Sequence, residues 1–174
     1  LKIENELNGT NVYFSNKVNW HLNNFNYLQA INAISVIAIL EVLNLDVNKG
    51  MRTISNLKPL PGRGDILTIS FKENKNNSIV IDDSYNANPS SMQMALKNYY
   101  RSKSQFPNLK SIIIIGDMLE LGKHSEEMHQ NLVPIINKIQ PSLLITVGIE
   151  TKKIINNLKI NLKCCSYLEV EKLI

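Results

Sequence analysis

Residues 82–91 of the chain read Asp82-Asp83-Ser84-Tyr85-Asn86-Ala87-Asn88-Pro89-Ser90-Ser91. The four residues before them, Ser-Ile-Val-Ile at 78–81, form the short β-branched run that is typical of a buried strand. After them, apolar residues recur at helical spacing, with Pro89 suited to a first helical turn and Asn88 to its N-cap. The pattern predicts a strand, two carboxylates, a polar loop and a helix. At the carboxyl edge of a parallel sheet such a loop binds ligands, although an ordinary strand-to-helix turn has the same local pattern.

The sequence after residue 65 alternates between strand-like and helical segments. Strands are predicted at 66–71, 78–81, 111–115, 142–147 and 162–167, and helices at 90–103, 125–139, 150–158 and from 169 onward, with a turn at 73–77. Such alternation predicts a parallel sheet with right-handed crossover connections. The unbroken isoleucine run at 112–115 is typical of strands covered on both faces. We therefore predict an α/β fold with a Rossmann-like, mostly parallel sheet flanked by helices.

The sequence before residue 60 has a different pattern. Residues 1–21 are strand-like, with a hairpin turn at Ser15-Asn16, and a helix predicted at 26–43 is apolar nearly all round. A second, shorter helix is predicted at 46–57. A helix that is apolar on every side must be covered on several sides, and a lone hairpin is too small to do so. We therefore expect residues 1–60 to be the last part of a larger domain.

Proline and glycine interrupt the pattern at Pro61-Gly62-Arg63-Gly64. Because these residues favour turns, residues 61–64 are predicted to be a hinge between the first part of the chain and a second domain at 65–174. Arg63 places a fixed positive charge on this hinge.

Composition is that of an ordinary globular protein, with 174 residues, 44% hydrophobic and 20% charged. The net charge is +4, but the basic residues are dispersed and not interleaved with aromatic ones, so nucleic acid is not a predicted partner. The most apolar run, at 33–43, is too short to span a bilayer and contains Glu41. Cys164 and Cys165 are neighbours, which suits reduced thiols in a reducing compartment better than a disulfide.

Two motifs that suggest phosphate or metal binding do not fit that chemistry. The segment 116–124 has one residue too many for a P-loop, and a histidine stands where Ser or Thr would bind magnesium. His124 and His129 are five residues apart, about 140° around a helix, so they cannot bind one zinc ion from one face. A helix start with Glu126 and Glu127 near its N-terminus explains the segment better. No metal ligands are predicted in the chain.

Three segments, in this order and spacing, resemble the C-terminal domain of the Mur ligase family. They are 82–92 (Asp-Asp-Ser-Tyr-Asn-Ala-Asn-Pro-Ser-Ser-Met), 116–122 (Gly-Asp-Met-Leu-Glu-Leu-Gly) and Thr146-Val147-Gly148. Upstream, Asn32-Ala33 and Pro61-Gly62-Arg63 are similar to the end of the family's central ATP-binding domain. Within the family, the first two segments most resemble the members that add D-alanyl-D-alanine.

The resemblance implies an ATP-dependent amide-bond ligase of peptidoglycan precursor synthesis that acts in the cytoplasm as a monomer. Such members join D-alanyl-D-alanine to UDP-N-acetylmuramoyl-tripeptide. ATP phosphorylates the tripeptide carboxylate, the dipeptide amine attacks the acyl phosphate, and phosphate leaves. The family's P-loop has no counterpart in this sequence. We therefore expect ATP and Mg²⁺ to bind mainly outside it, and this part of the enzyme to be inactive alone.

The same resemblance implies roles for particular residues. Asn32 is expected to contact adenine, Arg63 the ATP phosphates or ribose, and Asp83 the ribose hydroxyls after domain closure, with Tyr85 packed near the nucleotide. The residues expected to bind the dipeptide are Asn86, Asn88, Ser91, Asp117 and Glu120. A carboxylate can accept from two vicinal hydroxyls, but each of these polar groups could instead form a structural salt bridge or a loop hydrogen bond.

Three other functions remain open from the sequence. Another ligase of the superfamily, of the folylpolyglutamate or cyanophycin type, has a similar architecture, although the Asp-Ser-Tyr-Asn-Ala-Asn-Pro run at 83–89 argues against it. A Rossmann-like binding module without enzymatic activity is the second possibility. A basic nucleic-acid-binding domain is the weakest of the three, and salt-dependent binding would reveal it.

Overall fold

A computed structural model describes residues 1–6, 9–14, 19–23, 25–58, 60–70, 77–103, 108–159 and 162–172. The chain forms two compact units, Leu1–Tyr85 and Asn86–Ile174. The hinge predicted at 61–64 lies inside the first unit, and its role as a domain boundary stays a prediction. The predicted turn at Ser15-Asn16 lies outside the described residues, and so does all of the turn at 73–77 except Asn77.

The first unit contains a three-stranded antiparallel sheet, two helices and a separate hairpin. Its elements are β1 (Lys2–Glu6), β2 (Gly9–Tyr13), β3 (Asn19–Asn23), α1 (Tyr27–Val42), α2 (Val47–Ser55), β4 (Asp65–Ser70) and β5 (Asn77–Asp82). The sheet order is β1-β2-β3, and α1 and α2 pack against it. The buried core residues are Val12, Trp20, Leu22, Ala30, Ala33, Ile37 and Ile54.

The two helices of this unit begin close to the predicted positions, and each has an N-terminal capping residue. Asn26 caps α1 by accepting from the Gln29 amide, and the Gln29 side chain accepts from the Asn26 amide in return. Asp46 caps α2 by accepting from the Lys49 amide. As its composition predicts, α1 has apolar residues on faces that the unit does not cover, and Val42 is 80% exposed.

The strand that precedes Asp83 is not part of the parallel sheet, and its predicted position there is wrong. β5 pairs antiparallel with β4 in a two-stranded sheet, with Asp82 opposite Asp65. Its apolar side chains are not buried, since Ile81 is 46% exposed. The physical reason is the short connection between the two strands, because neighbouring strands need a crossover of a dozen or more residues to run parallel.

The second unit contains the parallel sheet, in the order β6-β7-β8, with helices packed against it. Its elements are α3 (Pro89–Lys103), β6 (Ile112–Gly116), α4 (Ser125–Gln130), α5 (Val133–Ile139), β7 (Leu143–Val147), α6 (Ile149–Ile155) and β8 (Cys164–Tyr167). The core residues are Leu96, Ile113, Ile115, Met118, Leu132, Ile136, Ile139, Leu144 and Ile154. The predicted α/β class, with a parallel sheet flanked by helices, is confirmed, and the predicted hairpin before it is part of a small antiparallel sheet.

Three expectations for this unit need correction. The helix predicted at 125–139 is two helices, because Pro134 has no amide proton for the carbonyl of residue 130 and its ring would clash there. Of the helix predicted from 169 onward, the described residues form a 3₁₀ turn at Val170–Lys172, and residues 173–174 lie outside the described part of the chain. The prediction that both faces of the sheet are covered is also wrong at β6, because Ile112 is 60% exposed and Ile114 is 58% exposed.

Cys164 and Cys165 are free and half-buried, in agreement with the predicted reduced pair. Burial raises the pKa of the Cys164 thiol, which lowers its thiolate fraction. No helix within the described part of the chain is long and apolar enough to cross a membrane.

Candidate functional site

The predicted hinge and the segment after β5 are joined by backbone hydrogen bonds. The Gly64 amide donates to the Asp82 carbonyl at 2.8 Å, and the Tyr85 amide donates to the Gly62 carbonyl at 2.9 Å. Gly62 has φ +72°, and a Cβ there would lie 3.1 Å from the Tyr85 nitrogen. Glycine is therefore required for this close approach, which brings Arg63 beside the residues that follow the strand.

Arg63 and Tyr85 form a contact on the surface of the first unit. The Arg63 guanidinium lies 4.0 Å from the centroid of the Tyr85 ring, and the ring is 66% exposed. The Gln29 side-chain amide donates to the Arg63 carbonyl at 2.6 Å, so the arginine backbone is fixed from α1 as well. At an exposed position such a cation–π contact contributes about 0.5–1 kcal/mol. The guanidinium is thus oriented but can move.

Asp83 is an exposed carboxylate beside a second carboxylate. Asp82 is already engaged, since its Oδ1 accepts from the Ser84 hydroxyl at 2.6 Å and from the Ser84 amide at 3.1 Å. Partial burial and the neighbouring Asp82 charge raise the pKa of Asp83, while the Gly64 amide acts in the opposite direction. Asp83 would therefore gain from a ligand that donates hydrogen bonds. We call Arg63, Asp83 and Tyr85 the hinge cluster.

Asn32, the residue expected at adenine, is exposed on α1. No hydrogen bond among the described residues joins it to the hinge cluster. The structure therefore brings together Arg63, Asp83 and Tyr85, whereas the role of Asn32 at the adenine stays a prediction. Sequence reasoning missed Gln29, which joins α1 to Arg63. The capping-box spacing from Asn26 could have predicted the role of Gln29 in capping α1, but not its hydrogen bond to Arg63.

Asn88 and Ser91, expected to bind the dipeptide, cap the N-terminus of α3. The Asn88 Oδ1 accepts from the Ser91 amide at 2.9 Å, and the Ser91 hydroxyl oxygen accepts from the Asn88 amide at 3.1 Å. Pro89 occupies the first helical position, as predicted. Asn86 is exposed before this cap. The capping bonds use one oxygen of each side chain, so both residues have a structural role whatever they bind.

Asp117 is bonded to the start of α6 through both carboxylate oxygens. Oδ1 accepts from the Thr151 amide at 2.7 Å and hydroxyl at 2.8 Å, and Oδ2 accepts from the Glu150 amide at 3.1 Å. Burial alone would raise the pKa of Asp117, but these hydrogen bonds lower it below its ordinary value. Asp117 is thus a structural carboxylate in a unit where it was expected to contact substrate.

Glu120 lies in the loop that follows β6, at residues 117–122. It is exposed and has φ +63°, a left-handed conformation that glutamate adopts rarely. Its neighbour Leu119 is 76% exposed, whereas Met118 is 2% exposed and packs in the core. The loop therefore presents residues 119–120 to solvent between anchored neighbours, and Glu120 is the carboxylate of this loop that a ligand can reach.

Sequence reasoning also missed His129, which is fully buried. Its Nε2 accepts from the Met118 amide at 2.9 Å, and its Nδ1 lies 2.7 Å from the Ser125 carbonyl. The signal was helical spacing, since His129 lies three and seven residues before the fully buried Leu132 and Ile136. Within the described residues, no group of three or more His, Cys, Asp or Glu side chains could bind a metal ion.

Comparison with known proteins identifies the second half of the chain. Residues 69–173 match the family described as "Mur ligase, glutamate ligase domain". The UDP-N-acetylmuramoyl-tripeptide–D-alanyl-D-alanine ligase of Rickettsia prowazekii is 35% identical over 145 residues, 83% of this chain and 30% of that protein. The Escherichia coli protein of the same name is 33% identical over 98 residues, 56% of this chain and 20% of that protein.

The fold is similar to that of a solved ligase. The crystal structure of MurF ligase from Thermotoga maritima, in complex with ADP, superposes with a TM-score of 0.74 and 22% identity. The superposition covers 99% of this chain and 38% of the Thermotoga maritima chain. At this identity the likeness shows the fold alone. The chain spans about a third or less of the length of the curated relatives compared here.

Proposed function

The chain belongs to the Mur ligase family, and on this premise we propose that its full-length protein ligates D-alanyl-D-alanine to UDP-N-acetylmuramoyl-tripeptide. We also propose that this reaction belongs to peptidoglycan precursor synthesis and takes place in the cytoplasm. Two relatives named for this activity, at 35% and 33% identity, support the substrate assignment. The motif at 83–89 argues in addition against the folylpolyglutamate and cyanophycin types of ligase.

The observation that most supports the proposal is the hinge cluster. Asp83, with a raised pKa and no cation among its described partners, is suited to accept hydrogen bonds from the two ribose hydroxyls of ATP. Arg63 is oriented beside it by Tyr85 and is suited to contact the ribose or the phosphates. The two residues are held side by side by backbone hydrogen bonds that join Gly62 and Gly64 to the end of β5 and the segment after it. A nucleotide that contacts one of them could therefore also contact the other.

ATP, when bound, would supply the phosphoryl group that activates the tripeptide carboxylate, with ADP as the other product, and the dipeptide amine would then displace inorganic phosphate from the activated carbonyl carbon. This part of the chain would contribute binding and orientation to that reaction. The hinge cluster binds the nucleotide, and Asn32 is assigned to the adenine. Mg²⁺ is assigned to residues elsewhere in the longer protein.

The dipeptide is assigned to the second unit. Asn86, Asn88 and Ser91 offer amide and hydroxyl groups, and Glu120 offers an exposed carboxylate, which suits a ligand with one amine and one peptide bond. We propose Asp117 as a residue that shapes this site through α6, because its oxygens already accept three hydrogen bonds.

Phosphate release by the full-length protein tests the proposal. It is measured with ATP and UDP-N-acetylmuramoyl-tripeptide, with and without D-alanyl-D-alanine. We expect release to require the dipeptide, and Asp83→Asn to raise the KM for ATP by about tenfold or more through the loss of charge-assisted hydrogen bonds. Asp82→Asn is the matched control, with a smaller expected effect because Asp82 bonds to Ser84.

Two results would contradict the proposal. If the dipeptide makes no difference to phosphate release while another amino acid stimulates it, the protein is a different ligase of the superfamily. If Asp83→Asn and Asp82→Asn change the KM for ATP equally, Asp83 has no specific role at the nucleotide.

A further inference from the structure

His129 is a fully buried ionisable side chain to which the proposed reaction gives no role. Its ring joins two backbone groups, the Met118 amide at Nε2 and the Ser125 carbonyl at Nδ1. An amide can only donate and a carbonyl can only accept. The neutral ring with its proton on Nδ1 satisfies both partners, so these contacts assign that tautomer.

The contact with Met118 fixes the loop at the point where it leaves β6. Met118 is the residue after Asp117 and the residue before the exposed Leu119. The two neighbours 117 and 118 are therefore anchored in different ways, Asp117 by its side chain to α6 and Met118 by its amide to α4. On the far side of the exposed pair, Leu121 packs against the same core as Met118.

We propose that His129 is a positioning residue for the dipeptide site. By accepting from the Met118 amide it fixes the backbone of the 117–122 loop, and so determines where Leu119 and Glu120 stand for substrate. The inference rests on the proposed function for the identity of the substrate, but not for the anchoring itself. A buried amide that loses its acceptor must find another, and we expect residues 118–120 to move outward until the Met118 amide reaches water.

Substitution of His129 by glutamine or by asparagine distinguishes the contact at Nε2 from the contact at Nδ1. A glutamine at 129 can place its carbonyl oxygen near the position of Nε2, so His129→Gln can retain the acceptor for Met118. An asparagine is shorter and can reach only the Ser125 end, so His129→Asn removes that acceptor. Both variants replace an aromatic ring by a neutral amide, which makes their effects on core packing comparable. His124→Asn is the surface control, since His124 is exposed.

The variants are made in the full-length protein and two quantities are measured. Hydrogen exchange of the Met118 amide should accelerate by about tenfold or more in His129→Asn, and much less in His129→Gln. In His129→Asn the KM for D-alanyl-D-alanine should rise by about tenfold, whereas the KM for ATP should stay within about twofold of its value in the unaltered protein. In His129→Gln the KM for D-alanyl-D-alanine should stay close to that of the unaltered protein. His124→Asn should leave both quantities unchanged.

The inference is overturned if Met118 exchange in His129→Asn equals that of the unaltered protein. It is also overturned if Asn and Gln raise every KM and lower the thermal midpoint alike, which is what a purely structural histidine would do. Failure of the proposed function has a different signature, because phosphate release in the unaltered protein would then not require the dipeptide. The exchange experiment still decides the anchoring in that case.

Discussion

Asp83 and Asp117 each follow the end of a strand, and the sequence predicted both as site residues, yet the structure gives them opposite environments. Asp117 accepts three hydrogen bonds from Thr151 and Glu150, and these lower its pKa. Asp83 is exposed beside Asp82, and its pKa is raised. Asp117, whose oxygens already accept hydrogen bonds, stabilises the fold, whereas the exposed Asp83 carboxylate can still accept hydrogen bonds from a ligand.

The largest effect is expected from a substitution that pushes against Asp117. Gly148 has φ +117°, and a Cβ there would lie 2.2 Å from the Asp117 carboxyl carbon. Gly148→Ala should lower the free energy of unfolding by about 3 kcal/mol through strain and displacement of the carboxylate. Urea denaturation measures this. Gly116→Ala is the control, since its nearest contact would be at 3.9 Å, and a comparable loss there would contradict the assigned cause.

Asp117→Asn should destabilise the protein at neutral pH by about 2 kcal/mol, because one acceptor becomes a donor that faces a backbone amide. The pKa of Asp117 is lower in the folded state, so its contribution is present above the unfolded pKa and disappears as pH falls through the folded value. The difference in stability between Asp117→Asn and the unaltered protein should therefore shrink in acid. A difference that stays constant down to about pH 2 would refute the ionic role.

Asn88 tests whether one residue combines both kinds of role. Asn88→Ala should cost about 1 kcal/mol through loss of the α3 cap, whereas Asn88→Ser should keep the cap and most of the stability. If Asn88 also binds the dipeptide, both variants should raise the KM for D-alanyl-D-alanine. If the serine variant restores stability and KM together, Asn88 acts only as a cap. Thermal unfolding and steady-state kinetics measure the two effects.

The smallest effect on stability is expected at Asp83, and in the opposite direction. Its folded pKa is raised, so ionised Asp83 opposes folding above that pKa, and the penalty vanishes as pH falls through the unfolded value. Asp83→Asn should therefore stabilise the protein at neutral pH, by about 0.5 kcal/mol or less because the group is exposed to solvent screening. A loss of stability in this variant would mean that Asp83, like Asp117, is structural.

Much of the architecture was predictable from local patterns. The caps at Asn26 and Asp46 and the proline at 89 fixed where three helices begin, because capping depends on residues within one turn. The isoleucine run at 112–115 predicted a strand, which lies in the parallel sheet as expected. The helix at 125–139 was predicted too long, although the proline that divides it was visible in the sequence.

The pairing of β5 was not predictable from its own residues. A short β-branched run is compatible with a buried parallel strand or with an exposed hairpin strand, and the partner decides between them. The turn predicted at 73–77 favours β4 as that partner, but only the structure showed that the two strands form a sheet of their own and that Ile81 is exposed. The same limit applies to His129, whose burial could be inferred from helical spacing, whereas its bond to Met118, eleven residues away, could not.

The sequence by itself determined the fold class, the starts of the helices and the family, because these depend on short-range periodicity and on contiguous motifs. It also named the residues of the hinge cluster, and it predicted both Asp83 and Asp117 as ligand-binding residues. Tertiary structure alone decided that Asp117 is saturated by α6 and that Asp83 is exposed beside Arg63 and Tyr85. The reason is physical: the ionisation and availability of a carboxylate depend on which distant amides and charges surround it, and chain folding sets that arrangement.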